Sequence, residues 1–358
     1  MSRIKSLRRY AVPIAVGSGA LLVAAGTGIF LAGAEDLPDR SAEELLEAVQ
    51  NADVDGYTGV VEQTSDLGLP ELGADSVNPA SLSAGTHTLG VWYDSSGNVR
   101  TSVEGDLAEA SIIRNGSDMW AWNSDLGLAN HYELTDGLTD LPGGLPSVLS
   151  GGSAAPSSAA DAVLAAVGDT TELKTDGVEE IAGRDAYGLI LTPKGDSLVD
   201  AVRLSVDADT GLPLQTQIFS QGKETPAFES VFNELDLEVP DPEVFEFEPP
   251  EGAEVVESLA SDVVGSIQGV AGGGAETYGS GFETIAVSDI DEQALRDELA
   301  KLGVDEAAID QALANLEPVS GDWGSGKLLS TDLFSALLTD DGQLAVGSVA
   351  PEALYEVL

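Results

Sequence analysis

The sequence predicts a β-dominated α+β fold built around an antiparallel meander, and three observations carry the prediction. The first is period-two patterning. Tyr187, Leu189 and Leu191 alternate with Gly188 and Ile190, and Val202, Leu204 and Val206 alternate with Arg203 and Ser205. Such alternation sets one group of side chains on one strand face. The second is turn chemistry. Asp207 to Gly211 (DADTG) lies between two such runs and reads as a hairpin connection, as does Asn115-Gly116. The third is termination. Phe228 and Phe232 share a strand face, and the meander then ends in a stretch holding Pro240, Pro242, Phe245, Phe247, Pro249 and Pro250. Prolines cannot donate to a ladder, so they close the sheet there.

The remaining elements follow in chain order. Arg3, Lys5, Arg8 and Arg9 precede an uncharged apolar run from Ala11 to Ala34, and Glu35, Asp36 and Asp39 follow it. That run is long enough to span a bilayer, and the charge bias places the body of the chain outside the cytoplasm. Ala32-Gly33-Ala34 suits signal peptidase cleavage, whereas the length of the run suits an uncleaved anchor. Ser41 and Glu44 form a capping box for a short helix bearing Leu45, Leu46 and Val49. Strands are expected at 59–64, 86–93, 99–103 and 111–114, with Asp118, Trp120 and Trp122 on one face of the next. Residues 138–158 read as a loop and 159–167 as a helix. Beyond Val255 the pattern changes to a Gly-rich stretch, helical spacings at 289–302 and 305–316, and a hairpin flanking Thr339-Asp340-Asp341-Gly342. Pro351 begins a terminal helical turn. The expected organisation is 1–34 as signal or anchor, 35–256 as the main domain, and 257–358 as an extension that either completes that domain or packs separately.

Composition restricts function. The chain of 358 residues carries 62 acidic against 15 basic side chains, a formal net charge of −47. Such a surface repels nucleic-acid phosphates. With no cysteine in the chain, disulfides, thiolate chemistry and lipidation at a lipobox are excluded. His87 and His131 are too far apart in sequence for a zinc motif, and no Gly-x-Ser-x-Gly elbow is present. Asp207 and Asp209 begin like a calcium loop, but Gly211 is one place early and Ile218 stands where the bidentate Glu belongs. Residues 321–327 (GDWGSGK) fit a phosphate-loop pattern, but Leu328 replaces the Ser or Thr that would hold magnesium, and no apolar strand leads in. No cofactor, metal or catalytic residue is expected, and the chain reads as a non-enzyme.

Four ordered pieces resemble one family. They are Ser41-Ala42-Glu43-Glu44-Leu45-Leu46; Asn115 to Trp122; Ala182 to Leu189; and Phe245-Glu246-Phe247, taken as a closing strand, with Pro249-Pro250-Glu251-Gly252. Together they resemble the LolA-like superfamily, which includes lipoprotein carriers and the sensor domain of RseB/MucB regulators. The resemblance implies an open, curved antiparallel half-barrel with helices over the concave face. It also implies an apolar cavity suited to acyl chains. The expected function is extracytoplasmic binding of a lipid or lipoprotein acyl chain. The alternative is an RseB-like regulatory module contacting an anti-sigma factor or another membrane protein. Trp92, Trp120, Trp122, Phe219, Phe228 and Phe232 are the expected lining.

Overall fold

The computed structural model describes residues 37–68, 84–104, 109–133, 155–259, 276–290 and 313–358, with Gln293, Arg296, Asp310 and Gln311. The expected N-terminal segment lies outside them, as do most of the loop at 138–158 and the helical spacings after 289. Among the described residues no helix is long and apolar enough to cross a membrane.

Two antiparallel meanders build one sheet. The first runs β1 (Gly56–Asp66), β2 (Ala84–Asp94), β3 (Val99–Glu104), β4 (Glu109–Asn115), β5 (Asp118–Asn123) and β6 (Leu128–Glu133). The second runs β7 (Thr171–Ile181), β8 (Arg184–Pro193), β9 (Val199–Asp207), β10 (Pro213–Ser220) and β11 (Phe228–Asp236). β11 pairs with β1, and β12 (Glu254–Leu259) adds to β6 in parallel. The result is an open 12-stranded sheet in the order β12-β6-β5-β4-β3-β2-β1-β11-β10-β9-β8-β7. This is the β-dominated α+β class expected from the patterning.

Local chemistry explains the helices. In α1 (Ala42–Gln50) the Ser41 hydroxyl accepts from the Glu44 N–H while the Glu44 carboxylate accepts from the Ser41 N–H, the reciprocal box read from the sequence. α2 (Pro156–Leu164) begins earlier than expected because Pro156 occupies its first turn, where a missing N–H costs nothing. Helix α1 packs on β7 and β8, and α2 on β10 and β11. The β9–β10 turn fits beneath α1 because Gly211 has φ +77° and a Cβ there would stand 2.5 Å from the Ala48 carbonyl oxygen.

Two local expectations are corrected. Asn115 pairs with Asp118 as the last strand residues, so the tight loop is Gly116-Ser117 rather than Asn115-Gly116. Phe245 to Phe247 does not form a closing strand. Pro242–Phe245 is a 3-10 turn whose N-terminus is capped by the Asp241 carboxylate, accepting from the Glu243 N–H. Pro242 there favours the turn conformation over a ladder.

Residues 276–358 contain a second sheet. Its strands are β13 (Glu276–Tyr278), β14 (Ile285–Asp289), β15 (Glu317–Gly321), β16 (Gly324–Ser330), β17 (Ser335–Thr339) and β18 (Gln343–Gly347), followed by α3 (Pro351–Tyr355). The order in this six-stranded sheet is β13-β14-β18-β17-β16-β15. It has its own core, with Leu337, Ala345 and Leu354 fully buried. It also grips the large sheet. Phe282 and Leu333 enter the core beneath α1 and α2, the Leu198 N–H donates to the Ser348 carbonyl at 2.8 Å, and the Asp196 N–H donates to Glu283 Oε1 at 2.7 Å.

Candidate functional site

Paired residues in a sheet share a face, so the registers assign every side chain to one of two surfaces. The helix-covered face contains the row Leu189, Leu204, Thr216, Ser230, Gln63 and His87. Beyond β1 the same face continues through Leu89, Val103 and Ala110, and through Val91, Thr101, Ile112 and Ala121. Beneath α1 and α2 this surface is filled by Leu189, Leu191, Val202 and Leu204, all fully buried. Over β3 to β5 its apolar residues Val103, Ala110, Ile112 and Ala121 are half-buried, while Met119 at the start of β5 is buried. A half-exposed apolar floor flanked by a sealed core can take an apolar ligand without disturbing the packing that holds the fold.

Polar groups mark the boundary between these halves. The Tyr57 hydroxyl lies 3.5 Å from the Ser157 hydroxyl on α2, and its ring stacks against Tyr93 at 5.3 Å. Burial pushes the Tyr57 phenol up, opposed by the Ser157 hydrogen bond, and burial also raises the Asp161 carboxyl on α2. Thr216 donates to the Pro156 carbonyl at 2.9 Å and ties α2 to β10.

The opposite, outer face contains a different row: Trp92, Arg100, Ile113, Trp120, His131 and Glu257. Residues 237–253 cross this face on the way from β11 to β12. Phe245 is buried there, and the Val244 carbonyl accepts from Arg100 Nη1 at 3.1 Å. Phe247 packs against Trp120 and Trp122, with ring centroids 5.4 Å and 6.1 Å apart. Arg100 also lies over the Trp92 ring at 5.7 Å.

The six expected lining residues are therefore not brought together. Phe228 and Phe232 lie on the helix-covered face. Trp92, Trp120, Trp122 and Phe219 lie on the outer face, as their pairings with Arg100, His131, Ala129 and Ala201 show. Phe232 is 1% exposed and packs edge-on against Tyr57, so it belongs to the core.

A site that sequence reasoning missed lies at the end of the outer row. His131 Nδ1 is 2.6 Å from Glu257 Oε2, and Nε2 is 3.0 Å from Asp118 Oδ1. The imidazole stacks on Trp120 at 4.1 Å and 14°. No local pattern announces this cluster, because its members come from three strands and Glu257 is 126 residues from His131.

The other histidine makes a local contact, with His87 Nε2 2.8 Å from the Ala84 carbonyl oxygen. Residues 321–327 form the β15–β16 hairpin. Lys327 borders a recess of 260 Å³ with Asp340 and Asp341. Among the described residues no three His, Cys, Asp or Glu side chains converge as a metal site.

No protein-family model matches the chain, and no curated protein matches it. Solved structures similar to it include the Pseudomonas aeruginosa MucA/MucB complex, at 17% identity and a TM-score of 0.46, covering 88% of this chain and 96% of that one. Also similar is the LolA superfamily protein NE2245 from Nitrosomonas europaea, at 13% identity and a TM-score of 0.25, covering 58% of this chain and 99% of that one. A third is a lipoprotein-sorting protein domain from Vibrio parahaemolyticus, described as a putative outer-membrane one, at 10% identity and a TM-score of 0.23, covering 55% of this chain and 92% of that one.

Proposed function

We propose that this chain is a non-catalytic extracytoplasmic binding module whose ligand is an acyl chain of a lipid or lipoprotein. One observation carries the reading. The helix-covered face is sealed over β8 to β11 but continues as a half-buried apolar floor over β3 to β5. Val103, Ile112 and Ala121 lie on that floor, with Thr101 beside them. Binding there would draw on apolar burial, about 25 cal/mol per Å² removed from water. The apolar N-terminal run and the charge that flanks it support export, either as a released protein or as one tethered to the cytoplasmic membrane.

The test is native mass spectrometry of protein purified from its own membrane fraction, with lipids extracted in parallel. A stoichiometric lipid or acylated peptide that is lost in Ile112→Asp supports the reading. Protein that remains empty when offered lipids overturns it.

A second reading is contact with a membrane-protein partner such as an anti-sigma factor. The six-stranded sheet favours it, because an acyl-binding half-barrel has no need of a second unit fixed to its end. Pull-down of a single-pass membrane protein by the soluble part, lost when residues 276–358 are removed, would move the weight to this reading.

A further inference from the structure

Strand β12 is the parallel member of an otherwise antiparallel sheet, in register from Glu254 opposite Leu128 to Leu259 opposite Glu133. Parallel pairing is slightly weaker per residue, and Val255 and Glu257 are exposed. Side chains supply what the short ladder lacks. The His131 imidazole lies between Glu257 of β12 and Asp118 of β5, at 2.6 Å and 3.0 Å, and rests on Trp120.

Both ring nitrogens face carboxylate oxygens, and an ionised carboxylate only accepts. A neutral imidazole has one N–H, so its other nitrogen would confront a carboxylate lone pair. Only the imidazolium donates to both. The charged groups facing the ring are Asp118 and Glu257. Glu133, paired with Asp118, adds a third carboxylate to the same face. Trp120, and Phe247 packed against it, are neutral.

We propose that Asp118, His131 and Glu257 form a proton-operated latch that holds β12 on the edge of β6. Its release frees the end of the segment crossing the outer face and uncovers the β6 edge. An uncovered edge is a template for pairing with another strand.

The sign follows from the surroundings of the ring. Burial lowers its proton affinity, but hydrogen bonds and charge from Glu257 and Asp118 outweigh this and hold the imidazole above its ordinary value. The latch is therefore complete below the ordinary histidine value of about 6.5. It is lost as pH rises through the elevated value.

The experiment is hydrogen exchange on the full chain from about pH 6 to about pH 9, corrected for intrinsic rates, which brackets the ordinary histidine range. Protection of amides 254–259 is expected to fall several-fold across the range while β8 and β9 stay constant. His131→Gln should give low, pH-independent protection of β12 with β8 and β9 intact. Glu257→Gln, which keeps an acceptor but removes the charge, should move the fall to lower pH. Titration of His131 by NMR gives a second readout that needs no variant. Three results would overturn the proposal: β12 and β9 protection changing together in the wild type, an unchanged pH step in either variant, or a His131 midpoint at or below about 6.5.

Discussion

Arg184 and Asp207 meet through two parallel hydrogen bonds, Nε to Oδ2 at 2.6 Å and Nη2 to Oδ1 at 3.0 Å. The Asp207 carboxylate is 1% exposed and also accepts from the Thr210 N–H and hydroxyl. It thus joins the start of β8 to the β9–β10 turn. Burial alone would raise its pKa, but the bonds from Arg184 and Thr210 outweigh burial and hold it below the usual carboxylate range. A depressed carboxylate stabilises the fold above its unfolded value, near 3.9, and that contribution disappears as pH falls through the folded value. Asp207→Asn should cost about 1.5–3 kcal/mol at neutral pH, because it removes the buried charge that accepts the paired bonds of the part-exposed Arg184. Urea midpoints should show the gap from wild type narrowing below about pH 4. A gap that stays constant into acid would mean the pair contributes no linkage.

Gly59 and Phe232 make a tighter contact, since a Cβ on Gly59 would stand 2.6 Å from the Phe232 ring. The ring is core, not the flexible end of a surface side chain, so it has little room to withdraw. Gly59→Ala should destabilise by about 1–3 kcal/mol through overpacking. Phe232→Leu in the same chain should recover part of that loss, giving a non-additive cycle. Thermal or urea unfolding of the four proteins would measure it. Strict additivity would show that the strand backbone moves aside instead.

Phe282 joins the second sheet to the core beneath α1 and α2 while remaining 8% exposed. Its loss should cost roughly 3 kcal/mol at that junction. The second sheet keeps its own core, so Phe282→Ala should separate one calorimetric transition into two. A single transition shifted to lower temperature would show that the hydrogen bonds at Leu198 and Asp196 suffice to couple the units.

The sequence made the alternation of β8 and β9, the Ser41 capping box and the DADTG turn legible because each is written in contiguous residues. Facing was not. Their spacing sets Trp120 and Trp122 on one face of β5, but which face the helices cover depends on the join between β1 and β11. That join involves residues far apart in sequence. The crossing segment departs from its sequence pattern for a related reason: Phe245-Glu246-Phe247 alternates like a strand, while Pro242 and the Asp241 cap impose a 3-10 turn. The second sheet was seen only at its β17–β18 hairpin. The glycines at 321–327 fit a phosphate-loop pattern in sequence, yet Gly326 permits a strand approach in which a Cβ would stand 2.4 Å from the Leu338 carbonyl oxygen. His131 looked unremarkable because its partners lie on other strands.

The split of the aromatic residues between faces predicts that stability and ligand binding respond to different substitutions. Trp122 packs on Phe247 beneath the crossing segment. Trp122→Ala should lower stability by roughly 1–3 kcal/mol and leave lipid retention unchanged. Ile112 sits half-buried on the other side of the neighbouring strand. Ile112→Asp should leave the melting temperature nearly unchanged, since its carboxylate can reach solvent. It should weaken retention at least tenfold, because a bound acyl chain would trap that charge without a partner. Melting curves and native mass spectra of the two variants, measured side by side, provide the check. If Trp122→Ala lost its lipid while keeping wild-type protection in β8 and β9, the ligand would lie on the outer face, and the crossing segment would be its lid.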